Sequence, residues 1–230
     1  MNLNKFDLTQ DGHMNYQSLK SRQRKERDSY SHNAGIRIHR ALSWLHKAEK
    51  CQGDLDSEFI FLWVTFNAAY SDSINDELIF SEKERFRRFI EEICSLDSSR
   101  KQIYNLIWTE FASSIRLLLE NKYVFQPFWY FQNGTLSEEN WKEKFKNAKH
   151  AAFAAMSNKD TSTVLAIIFS RLYTLRNQIL HGGATWNSTL NRSQVRDSTN
   201  FLRKLVPIII EIMMSYSHRF SGPLSYPIIE

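Results

Sequence analysis

VLAIIFSRLYTLRNQILHGG, residues 164–183, carries the helical period more plainly than any other part of the chain. Val164, Ile168, Leu172, Leu175 and Ile179 recur three or four apart, which places them along one face of an α-helix. The spacing predicts a helix over 160–181, ended by a glycine of the Gly182-Gly183 pair in the left-handed conformation. Downstream, a helix is expected from about Ser193 to Ser217, with a kink at Pro207. Upstream, Ser137 caps a helix reaching about Met156, with Glu139 and Glu143 set against Lys142 and Lys146.

The same reading extends to the start of the chain. Pro127 and the run Phe128-Trp129-Tyr130-Phe131 end a helix expected over about Ser98–Asn121, and Asn133-Gly134 marks a turn. Ser81 begins another helix, with Glu84 placed three residues later as in a capping box. About Asp56 to Tyr70 is apolar nearly all round, as a helix in the middle of a bundle is. Ile38, Ala41, Leu42, Leu45 and Ala48 give a first amphipathic helix, stopped near Gly53. Residues 1–33 are polar and aperiodic, and read as a loose arm. The expected fold is all-α: an antiparallel up-and-down bundle over 34–220, with extra helices inserted over about 80–156 and a tail at 221–230.

Composition agrees. A hydrophobic share of 42% excludes wholesale disorder, and only 7 Gly and 4 Pro in 230 residues argue against a turn-rich β architecture. The two cysteines, Cys51 and Cys94, read as small buried apolar residues of a cytoplasmic protein in a reducing compartment. The N-terminus lacks the apolar core of a signal peptide, and Pro207 and Glu211 interrupt the longest apolar stretch, so no membrane association is expected. Net charge is +5, and Arg22, Arg24, Lys25, Arg27, Arg37 and Arg40 crowd one early segment. That stripe suits a polyanion such as RNA, whose binding should weaken steeply with salt, and equally suits a solvated helix face.

Phosphate-loop, dinucleotide, zinc-protease and serine-hydrolase motifs are all absent from the sequence. No histidine pair has metal-ligand spacing, so neither a metal nor another cofactor is expected. What remains is Arg176-Asn-Gln-Ile-Leu-His181. A histidine can give or take a proton near neutral pH, and an arginine fork can clamp a phosphate. Together they could cleave a phosphodiester through the 2′-hydroxyl of RNA. Asn177 and His181 share a helix face, but Arg176 and His181 stand roughly 140° apart around an ideal helix. They meet at one ligand only if the last turn unwinds or if a second chain supplies one of them. The plainer alternative is that both side chains bind free carbonyls at the helix end.

This segment resembles the R-N-x-x-x-H signature of HEPN-domain proteins. Arg37–Leu45 and Glu58–Tyr70 are similar to the first two helices of bacterial members, so the resemblance spans roughly residues 35–215 and is thinnest over the insert. It implies a helical bundle that dimerises, bringing two motifs into one cleft. It also implies a metal-independent endoribonuclease of toxin–antitoxin, abortive-infection or phage-defence systems, with an antitoxin or another regulatory protein as partner. Carried over, Arg176 and His181 would be catalytic, and Asn177 would orient the histidine or the phosphate. Asn67 or Glu58, polar residues in an apolar helix, would support them. A non-catalytic bundle retained for dimerisation or RNA binding is the other reading. HEPN toxins paired with nucleotidyltransferase antitoxins tend to carry a tyrosine two residues after the histidine. Gly183 stands there, which speaks against silencing by modification of that tyrosine. Trp186 could stack on an unpaired base or pack on the last helix, and the 128–131 aromatics read as core or interface.

Overall fold

A computed structural model of the chain describes residues 14–51, 53–70, 82–189 and 191–228. The fold is all-helical, and no strand occurs among the described residues. In chain order the α-helices are α1 (Tyr16–Glu26), α2 (His32–Glu49), α3 (Leu55–Tyr70), α4 (Glu82–Leu96), α5 (Gln102–Asn105), α6 (Ala112–Glu120), α7 (Gln126–Gln132), α8 (Glu138–Ser157), α9 (Thr161–Leu180) and α10 (Arg192–Ser215). The chain divides into two compact units, one of residues 1–100 with 199–230 and one of residues 101–198.

In the first unit α2 and α3 pack extensively against each other. Ile38, Leu42 and Leu45 of α2 and Phe59, Leu62 and Phe66 of α3 are almost completely buried, as their helical spacing requires. Phe66 packs edge-on against Phe86 and Phe89 and stacks on Tyr70. Leu202, Leu205, Ile209 and Met213 of α10 are buried as well. Pro207 lies inside α10, which continues through it, although proline has no N–H for the carbonyl one turn back. Glu211 is buried at 2% exposure and accepts hydrogen bonds from Arg22 and Arg100.

Part of the segment expected to be a loose arm is helical. Asn15 and Ser18 form a reciprocal capping box at the start of α1, Leu19 and Gln23 are buried, and Arg22 reaches Glu211. Besides Leu19, the helix is held by Arg22, by the Tyr16 N–H donating to Glu49 and by the Tyr16 ring on His46, contacts that hydrophobic periodicity could not announce. The Ser81 cap falls outside the described residues.

The second unit holds Ile103, Leu106, Ile107, Ile115, Leu119, Val164, Leu165, Ile168, Phe169 and Leu172 in its core. The helix expected over 98–121 is broken instead. A π turn at Leu106–Glu110 keeps Leu106 and Ile107 both buried, and the indole of Trp108 donates to Thr161 Oγ1 at 3.0 Å. Pro127 opens α7 rather than closing a helix, because proline costs no hydrogen bond in a first turn. Gly134, at φ 74°, makes the expected turn. The Ser137 side chain caps α8, where the short ion pair is Lys142 with Glu138 rather than with Glu139.

Candidate functional site

The end of α9 is built as its sequence suggests. Asp160 caps the start by accepting from the Thr163 N–H, and His181 is the residue at which the helix closes. The Gly182 N–H reaches Ile179 O and the Gly183 N–H reaches Gln178 O at 2.8 Å, a Schellman closure. Gly182 supplies the positive φ of 69°. A Cβ on residue 183 would lie 3.1 Å from Gln178 O, so any side chain there would crowd the turn.

This closure leaves the last turn helical. The His181 N–H still donates to Asn177 O at 3.0 Å. Unwinding therefore does not bring Arg176 and His181 together, and within one chain they leave the helix roughly 140° apart. His181 is exposed. Arg176 is half-buried, lies 5.1 Å over the Tyr173 ring, and donates from Nη1 to Asn177 Oδ1 at 2.8 Å. Asn177 thus holds the arginine. Gln178, which the sequence reading passed over, braces the same turn: its Nε2 donates to Tyr123 O at 2.6 Å and its Oε1 accepts from Asn191 at 3.0 Å.

Two expected supporting residues are used differently. Glu58 is buried and both of its oxygens accept from Arg203, at 2.7 and 2.8 Å. That carboxylate raises the pKa of Arg203. Asn67 is exposed on α3, so the argument that a buried amide needs a partner does not apply to it. Both belong to the first unit, whereas Arg176, Asn177 and His181 belong to the second.

The basic stripe divides as well. Arg37 is buried and donates to Pro223 O at 3.0 Å, Arg40 donates to Tyr226 O, and Arg22 pairs with Glu26 and Glu211. These three hold the unit together. Arg24, Lys25 and Arg27 remain exposed. Their positive field is felt at Lys20, whose pKa is lowered first by partial burial and then by Arg24 and Arg27. Trp186 is 72% exposed, which is not the packing of a buried core side chain. Of the 128–131 cluster, Phe128 is buried edge-on against Trp141, Phe131 stacks on Trp141, and Tyr130 is exposed. The two cysteines are free thiols, and both are half-buried rather than fully enclosed.

Arg171 is a residue that the sequence reading missed. It sits on the apolar face of α9 at 3% exposure, 4.4 Å over the Phe125 ring and 5.8 Å from the Phe145 ring. Among the described residues no carboxylate or hydrogen-bond acceptor pairs with it, and its Nε is buried without a partner. Burial pushes its pKa down to about 10, well below the ordinary guanidinium range. A change of that size corresponds to about 3 kcal/mol of burial cost, and the two ring faces offset about 1–2 kcal/mol of it. Because the folded pKa lies below the unfolded one, the cost is present throughout the range below about pH 10 and is relieved only above it. Arg171→Met should therefore stabilise the chain by about 1–2 kcal/mol, by a similar amount at pH 6 and pH 8. Thermal melts that show a loss instead would contradict this balance.

Among the described residues, no group of three or more His, Cys, Asp or Glu is placed to hold a metal ion, and no helix is long and apolar enough to cross a membrane. Comparison of the chain with protein-family models, curated proteins and solved structures finds no match.

Proposed function

We propose that the chain is a cytoplasmic, metal-independent endoribonuclease of the HEPN type whose active site forms between two copies. The observation that supports it is the end of α9: His181 is exposed there, five residues after an Arg176 whose guanidinium is held by Asn177. Since one chain directs the two side chains apart, the reading requires a symmetric pair in which Arg176 of one copy meets His181 of the other. In such a site a His181 accepts the proton of the RNA 2′-hydroxyl as its oxygen attacks phosphorus. The bond to the 5′-oxygen breaks, and the same His181 returns the proton, through a water molecule, to that oxygen. Arg176 neutralises the charge that builds on the phosphoryl oxygens. The products are a 2′,3′-cyclic phosphate and a 5′-hydroxyl. A toxin–antitoxin or phage-defence setting, with an antitoxin or other regulatory protein, belongs to the same proposal.

The divergence of Arg176 and His181 in one chain also favours a second reading, a non-catalytic bundle that binds RNA or dimerises. An end-labelled structured RNA incubated with the purified protein in EDTA separates the two. Cleavage that leaves cyclic-phosphate ends is expected. Binding with the RNA left intact would favour the second reading.

A further inference from the structure

Trp141, Phe145, Lys149 and Phe153 stand four residues apart on α8, and Lys142, Lys146 and His150 form the adjacent row. Together they line an open groove of about 380 Å³, all within the second unit. Aromatic rows alone are ordinarily core, and lysine rows alone are ordinarily solvated. Here the two interleave, and no acidic side chain lines the groove. Lys146 and His150 make no ion pair among the described residues, whereas Lys142 pairs with Glu138 and Lys149 with Glu120, both in solvent-accessible contacts that a phosphate can displace.

One further observation bears on the ligand, while the Trp141 indole N–H, fully enclosed, lies out of its reach. Phe145 lies 5.8 Å from the guanidinium of Arg171, a buried cation with no counter-charge. A cation that no acid of the second unit neutralises adds to the positive field around these aromatic rings. The half-buried Phe145 and Phe153 rings and the positive charge together fit a polyanion that also offers ring faces. Single-stranded nucleic acid is that ligand: its phosphates meet the lysines and its unpaired bases stack on the Phe145 and Phe153 rings. A duplex keeps its base faces covered, and an acidic peptide has none to offer.

We infer that the α8 groove is a binding site for single-stranded RNA. This deepens the ribonuclease reading and rests on it only for the choice of RNA; it gives the second unit a substrate-holding surface other than Arg176 and His181.

Fluorescence anisotropy of a labelled 12-nucleotide oligouridine, with the full chain carrying His181→Ala to prevent cleavage, tests it. The triple variant Lys142→Gln, Lys146→Gln, Lys149→Gln should weaken binding about tenfold or more at low salt and lower the salt slope by about 2. Phe153→Ala should weaken binding about fivefold or more with the salt slope unchanged. Circular dichroism confirms that the variants fold. Absence of binding, binding unaffected by the triple variant, or equal competition by duplex RNA or polyglutamate would each overturn the inference. A protein that cuts no RNA with His181 in place, but binds oligouridine and loses it in the triple variant, would sink the nuclease reading and leave the groove standing.

Discussion

Replacing His181 by alanine is expected to lower RNA cleavage by about two to four orders of magnitude, the usual contribution of a positioned acid–base group, without weakening RNA binding. The prediction is this large because both proton transfers of the proposed reaction fall to this one residue. Binding should survive because His181 is exposed at the end of α9 and belongs neither to a buried core nor to the α8 groove. Arg176→Ala should cost about two to three orders of magnitude. Arg176→Lys should recover little, since an ammonium cannot reproduce a two-pronged contact with phosphate and with Asn177 Oδ1. Single-turnover cleavage alongside anisotropy measures both effects. A His181→Ala protein that cuts as fast as the parent would remove the histidine from the reaction.

The largest effect on stability is expected at Phe66. Its side chain is 1% exposed and its ring meets those of Trp63, Tyr70, Phe86 and Phe89 within about 6 Å. Alanine there removes the buried area and leaves a cavity whose aromatic walls cannot readily close. The cost should be about 3–5 kcal/mol, or a fall in Tm of about 6–20 °C for a chain of this length. Phe66→Leu, which keeps most of the volume, should lose well under half of that. Thermal melts of the two variants that coincide would show that the aromatic cluster is not the centre of the first unit.

Helices with a clean apolar stripe were legible in the sequence. The expected bounds of α3, α8, α9 and α10 fall within about two residues of those observed, because burial of one face sets where such a helix must run. Elements held by polar contacts were not legible. α1 is held by its Asn15–Ser18 box, by the Tyr16 N–H on Glu49 and by Arg22 reaching Glu211, a partner 189 residues away that no local pattern reveals. The same blindness made Arg22, Arg37 and Arg40 look like one RNA-facing stripe, when each is engaged by a carboxylate or carbonyl distant in sequence. The division into two units lies in the packing, with α10 running from one into the other. At the candidate site the closure at Gly182 followed from the motif itself, which left the exposure of His181 open between a catalytic and a carbonyl-binding role. The bracing by Gln178 and the burial of Arg171 did not, although a charge three residues after Ile168 and four before Leu175 was a visible signal. The row of Trp141, Phe145, Lys149 and Phe153 was also open to view, since a four-residue repeat marks a single helix face.

A mixing experiment tests the two-copy site most directly. Arg176→Ala and His181→Ala proteins, each inactive alone, are combined in EDTA with a labelled RNA after exchange of subunits. If Arg176 of one chain works with His181 of the other, the mixed pair contains one complete site, and cleavage should return to a substantial fraction of the parent rate with cyclic-phosphate ends. If the mixture stays as inactive as its components while the parent protein cuts, the two residues do not act across a pair of chains, and the site proposed at the end of α9 is wrong.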